Sequence, residues 1–147
     1  MPLQDEVTEQ MKLAMKAKDS VALESLRAIK SALLLAKTSG EGELSEEGEV
    51  QLVQKLVKQR KDSAAIFSQQ GREDLAAPEL AQVKVLERFL PEQLGEDAIK
   101  KVVVDTIGEV GASGMKDMGK VMGIVSKKLA GRADGKTIAA IVKTSLG

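Results

Sequence analysis

The 147-residue chain contains no cysteine, histidine, tryptophan or tyrosine, and only two phenylalanines and three prolines. Each absence removes a class of chemistry. Without cysteine there is no disulfide framework, thiol nucleophile or zinc–thiolate site. Without histidine the usual general base near neutral pH and the commonest metal ligand are both missing. Asparagine is absent too, which removes any N-glycosylation acceptor. Aromatics are so few that the core must be aliphatic. No apolar run approaches the roughly 18–20 residues that span a bilayer. The opening residues MPLQDEVTEQ are acidic, with neither the apolar segment of a secretory signal nor the arginines of a transit peptide, so a cytoplasmic location is expected.

What remains is 43% hydrophobic and 30% charged, the balance of a folded chain. Strong helix formers dominate, and the expected class is all-α. Leu3, Val7, Met11, Ala14 and Met15 recur at helical spacing. Lys16 to Asp19 breaks that pattern, and Asp19 is a natural N-cap for a second helix bearing Val21, Ala22, Leu26, Ile29, Leu33 and Ala36. That helix stops near Thr38, ahead of the loop-forming run Ser39-Gly40-Glu41-Gly42-Glu43. Ser45 caps a third helix with Val50, Val53, Val57, Ala64 and Phe67 on its stripe, ending at Gly71. Residues 41–49 hold five glutamates, which suit a solvated loop and helix start. Arg72 to Ala77 reads as a connection. Pro78 suits the first turn of a fourth helix carrying Leu80, Val83, Leu86, Phe89 and Leu90.

Pro91 stops that helix, and Pro91-Glu92-Gln93-Leu94-Gly95 marks a domain boundary. The expected organisation is an N-terminal bundle of about four helices over 1–93 and a small three-helix domain over 94–147. In the second part Ile99, Val102, Val103, Ile107 and Val110 form one stripe, ending at Gly111. Met118, Val121, Met122, Val125 and Leu129 form another between about Lys116 and Ala130. The last follows Asp134 as N-cap, with Ile138, Ile141, Val142 and Leu146 inward.

Net charge is zero, but it is unevenly spread. Residues 1–93 carry 13 basic and 16 acidic side chains, and 94–147 carry 9 basic and 6 acidic. The bias peaks after residue 115, where Lys116, Lys120, Lys127, Lys128, Arg132, Lys136 and Lys143 face only Asp117 and Asp134. Lys116, Lys120 and Lys127 are spaced by four and seven and share a helix face. Such a patch suits phosphate contact, but charge alone favours an ordinary solvated face. Bases of single-stranded RNA are usually read by stacking on aromatic side chains, and 94–147 has none. Any RNA contact there is with backbone and shape in a folded RNA.

Three local patterns invite stronger readings. Ala130-Gly131-Arg132-Ala133-Asp134-Gly135-Lys136-Thr137 resembles a phosphate-binding P-loop, but Gly131 leaves one residue too few before Gly135-Lys136-Thr137, and a helix precedes it where the motif needs a strand. A helix stop at Gly131 and a cap at Asp134 explain it better. Backbone amides at the start of the last helix, beside Arg132 and Lys136, remain able to hold an RNA phosphate. Gly119-Lys120-Val121-Met122-Gly123 has small residues at i and i+4 and reads as permitting close helix packing, with a ligand groove above it the lesser alternative. Met115, Met118 and Met122 read as core filling, with an adaptable partner surface as the other reading. No acid–base, nucleophilic or metal-ligating constellation is visible, and no cofactor is implied.

Several segments, taken in order, resemble the YqeY-like family. They are Lys58-Gln59-Arg60-Lys61-Asp62-Ser63, Gly71-Arg72-Glu73-Asp74-Leu75-Ala76, Leu90-Pro91-Glu92-Gln93-Leu94, Gly111-Ala112-Ser113 with Met115 to Gly123, and Gly131 to Lys136. Gly48 and Gly95 stand where that family tends to carry polar helix-start residues. The resemblance implies a helical N-terminal domain and a tail domain similar to that of GatB, a component of the tRNA-dependent Asp/Glu amidotransferase in which the tail helps hold tRNA. It therefore implies tRNA, or a tRNA-processing enzyme, as partner; the lack of a long apolar run separately implies no membrane partner. The residues matching on that ground are Lys116, Lys120, Arg132 and Lys136, to which charge adds Lys127, Lys128 and Lys143. The same relationship underlies a family label of glutamine-dependent carbon–nitrogen ligase activity. The chain is too short for the catalytic cradle of GatB and for a glutaminase, so a non-catalytic role is expected. The alternatives are a protein–protein adaptor without RNA contact and participation in that ligase activity, as the family label suggests.

Overall fold

The structure is a computed structural model describing residues 2–40 and 44–147. Those residues form seven α-helices and one 3₁₀ turn, with no strand among them. The helices are α1 Leu3–Ala17, α2 Ser20–Thr38, α3 Glu46–Gln69, α4 Glu73–Glu87, α5 Glu96–Val110, α6 Met118–Lys128 and α7 Gly135–Leu146, and the 3₁₀ turn is Met115–Asp117. The class is all-α. None of the helices is long and apolar enough to cross a membrane among the described residues.

The chain divides into two compact units, Met1–Leu90 and Pro91–Gly147. In the first, α1 to α4 enclose Leu3, Val7, Leu26, Ile29, Val53, Val57, Val83 and Leu86. Short connections make α1–α2 and α3–α4 antiparallel hairpins. Helix starts follow local chemistry. The Asp19 carboxylate accepts the Ala22 amide at 3.0 Å, and the Ser45 hydroxyl accepts the Gly48 amide at 3.1 Å. Glu46, Glu47 and Glu49 occupy the first turn of α3, and Glu49 has a second role. Its Oε2 accepts the Leu3 amide at 2.9 Å, capping α1, whose own N-cap residue Pro2 offers no side-chain acceptor. Glu41 and Glu43 lie outside the described residues, as does that part of the expected loop.

Two features of this unit differ from the sequence expectation. Arg72 to Ala77 does not form a connection, because α4 begins at Glu73 and Pro78 sits inside it. The amides of Leu75 and Ala76 bond back to the Arg72 carbonyl, and Ala76 is fully buried, so burial pulls this turn into the helix. Pro78 is exposed and denies an amide only to the exposed Asp74 turn, where water can serve the carbonyl. The stripe of α3 also has a member that hydrophobic periodicity skips. Val53, Val57, Ala64 and Phe67 leave a gap at position 60 in their four–three rhythm, and Arg60 fills it. Its Nε donates to Gln82 Oε1 at 2.7 Å and its Nη1 to the Leu56 carbonyl at 3.2 Å. Gln82 Nε2 passes the chain on to Glu24 Oε2 at 3.1 Å, so one arginine links α3, α4 and α2.

In the second unit, α5, α6 and α7 enclose Ile99, Val103, Val121, Val125, Leu129, Ile138 and Val142. Gly111 ends α5 in the left-handed conformation at φ 66°, which only glycine adopts cheaply. Helix α6 is shorter than the periodicity suggests, with the Met115–Asp117 turn ahead of it and its end at Lys128. Asp134 caps α7, accepting the Lys136 amide at 3.2 Å. Met118 and Met122 pack against the core as expected, whereas Met115 is 46% exposed and fills nothing.

Candidate RNA interface

Helix α6 has the sequence MGKVMGIVSKK, in which apolar and small residues alternate with lysine and no side chain is acidic. Val121 and Val125 are fully buried, which turns Lys120 and Lys127, seven residues apart, to the opposite side. Lys116 is exposed in the preceding 3₁₀ turn. No ion pair holds Lys116, Lys120 or Lys127 among the described residues. The same device recurs on α7: Ile138 and Val142 are buried, and Lys136 and Lys143, again seven apart, are exposed.

Gly119 and Gly123 correct the expectation of close helix packing. Both are exposed, and among the described residues a Cβ at either would meet nothing within 4 Å. No neighbouring helix requires them. Each costs about 0.5–1 kcal/mol of helix stability relative to alanine, with no return in packing. Together with exposed Ser126 they leave the outer face of α6 low and smooth between its lysines. Such a surface lets another backbone approach the helix closely.

The two acidic residues of the basic stretch are engaged locally. Asp117 Oδ2 accepts the Ser113 amide at 3.0 Å, and Asp134 Oδ1 accepts that of Lys136. Both carboxylates are aimed at backbone donors rather than at the lysines of α6.

Lys128 and Arg132 make contacts within the unit. Lys128 Nζ donates to Thr106 Oγ1 at 3.1 Å and to Glu109 Oε2 at 3.0 Å, fastening the end of α6 to α5. Thr106 is fully buried, and its hydroxyl in turn donates to the Val102 carbonyl at 2.8 Å. Arg132 is half-buried in the α6–α7 loop, and its Nε donates to the Glu92 carbonyl at 3.3 Å. The structure thus sets Lys116, Lys120 and Lys127 on or beside one helix face, Lys136 and Lys143 on another, and gives Lys128 and Arg132 work inside the unit.

One basic residue escapes a reading by charge clustering. Lys100 of α5 lines a groove of about 510 Å³ with Glu96, Lys136, Thr137 and Thr144. It lies outside the charge-biased run, and only the packing of α5 on α7 brings it to Lys136. Among the described residues no group of three or more Asp or Glu side chains is placed to hold a metal ion. The resolved pKa shifts fall elsewhere: the Arg72 guanidinium, 2.9 Å from Asp74, holds that exposed carboxyl below the usual carboxylate range, and the pairing raises Arg72.

Comparison with known proteins agrees with the resemblance. A family model described as Yqey-like protein matches residues 4–146. The protein named altered inheritance of mitochondria protein 41, mitochondrial, of Pyrenophora tritici-repentis (strain Pt-1C-BFP) is 31% identical over 125 residues, covering 84% of this chain and 68% of that protein. The family match runs across both compact units and every segment on which the resemblance rests, and the chain belongs to the YqeY-like family.

Proposed function

We propose that this protein is a non-catalytic tRNA-binding accessory, acting through a three-helix tail domain that follows an N-terminal four-helix bundle. The tail would hold folded RNA as the GatB tail does, by phosphate and shape. One observation carries the reading: α6 presents Lys120 and Lys127 on an exposed face whose Gly119 and Gly123 serve no packing purpose. A helix that gives up stability to stay smooth, and carries no acidic residue, suits the close approach of a polyanion. The proposed compartment is the cytoplasm, while the relative is named as mitochondrial.

Filter binding of the full chain to folded tRNA tests this. Engagement of about five phosphates gives log K against log salt a slope of about −4. Absence of binding at low salt, or binding unchanged in a K116E/K120E/K127E variant, rejects it. The adaptor reading draws on exposed Leu34 and Leu35, 62% and 70% accessible on α2. One stoichiometric protein partner, recovered without RNA, favours it. Transamidation of misacylated tRNA with glutamine and ATP by this protein alone is expected to be blank.

A further inference from the structure

The segment Glu92–Leu94, at the start of the second unit, is laced to the α6–α7 loop. The Leu94 amide donates to the Arg132 carbonyl at 2.9 Å. Gln93 Nε2 donates to the Gly131 carbonyl at 2.7 Å and to the Pro91 carbonyl at 2.8 Å. Arg132 Nε donates to the Glu92 carbonyl at 3.3 Å. Gly131 is buried and left-handed at φ 79°, a conformation that favours glycine, and in it the carbonyl meets Gln93.

From this clasp we infer that Arg132 couples anion binding at the tail to order in residues 92–94. The inference rests on the RNA-binding reading above. A guanidinium has a rigid fork of five donors. Arg132 uses the Nε edge on Glu92, which leaves the outer Nη edge for a phosphate oxygen. Holding one edge fixes the plane of the other, so the closed clasp presents the fork already oriented. Coupling of this kind is reciprocal: whatever factor the clasp contributes to anion affinity, a bound anion returns to closure of the clasp. Gln93 is then a positioning residue for Arg132, acting through Gly131 without touching the RNA.

The test uses the full chain and folded tRNA. Amide exchange at Leu94 is followed by NMR with and without RNA, and affinity is measured over a salt series. The clasp should slow Leu94 exchange about fivefold on binding, and Gln93→Ala should weaken binding by a similar factor with an unchanged salt slope. Arg132→Lys keeps the charge but replaces the planar fork, in which one held edge orients the other, with a freely rotating ammonium. It should retain the salt slope and lose the RNA-dependent protection of Leu94. If tRNA binds while Leu94 exchange stays as in the free protein, the coupling is wrong and the RNA reading stands. If tRNA does not bind at low salt, both fall. Equal RNA-dependent protection in wild type and Arg132→Lys also overturns the coupling.

Discussion

Lys128 Nζ stands 3.0 Å from Glu109 Oε2, tying the last turn of α6 to α5. By charge alone Lys128 is equivalent to its neighbour Lys127, yet the fold separates them. Helical rotation turns Lys127 outward and brings Lys128 to the α5 seam, beside the buried Thr106 hydroxyl.

The two lysines should therefore respond differently to removal. Lys127→Ala is expected to leave thermal stability unchanged and to reduce the salt slope of tRNA binding by about 1. Lys128→Ala should leave the slope unchanged and cost about 0.5 kcal/mol, since its ion pair is partly exposed and screened by solvent. Denaturant titration and salt-dependent filter binding on the same preparations check both.

The glycines of α6 should show a stability–function conflict. Gly119→Ala and Gly123→Ala each enter open space on a helical backbone, so each should raise stability, by about 0.5–1 kcal/mol. Both should weaken tRNA binding, and Gly123→Gln should weaken it further. Variants that gain stability with unaltered affinity would show that the smooth face serves no ligand.

Arg60 should matter through its hydrogen bonds as well as its volume. Arg60→Ala removes the links to Gln82 and Leu56 and should cost about 2 kcal/mol, as for hydrogen bonds from a charged group. Gln82→Ala should cost less, and the double variant should be less damaging than the two single effects added, because the pair is in contact. Equilibrium unfolding of the four proteins gives the cycle.

The Arg72–Asp74 pair sets a pH response of known sign. The Asp74 carboxyl is held below its ordinary value, chiefly by the hydrogen bond from Arg72. Its contribution is therefore present above the unfolded aspartate pKa and lost as pH falls through the lower folded value. Arg72 is raised, so its share is present throughout the neutral range and lost only above its own pKa. In Arg72→Ala the Asp74 carboxyl titration, followed by ¹³C NMR, should move up toward 3.8.

The all-α class and the apolar stripes are legible in the sequence because periodicity reports burial directly. Asp19, Ser45 and Asp134 are legible as caps because a short polar side chain before an apolar stripe has a single local task. Arg60 is not, since a hydrophobic pattern skips a charged residue even when it occupies the seam. The early start of α4 is hidden by Pro78, whose preference for a first turn yields to burial of Ala76. In the candidate interface, charge counting finds Lys116, Lys120 and Lys127 but cannot separate Lys128, which needs the position of α5. Gly119 and Gly123 are visible as a pattern, and only the absence of a neighbour within 4 Å shows that the pattern does not serve helix packing.

The most direct test of an RNA-binding tail is the salt dependence of folded tRNA binding by the full chain, measured beside K116E/K120E/K127E. A slope of about −4 for the wild type is expected, with binding by the triple variant lost or its slope reduced by about 3. No binding at low salt, or the same affinity and slope for both proteins, contradicts RNA contact through this face.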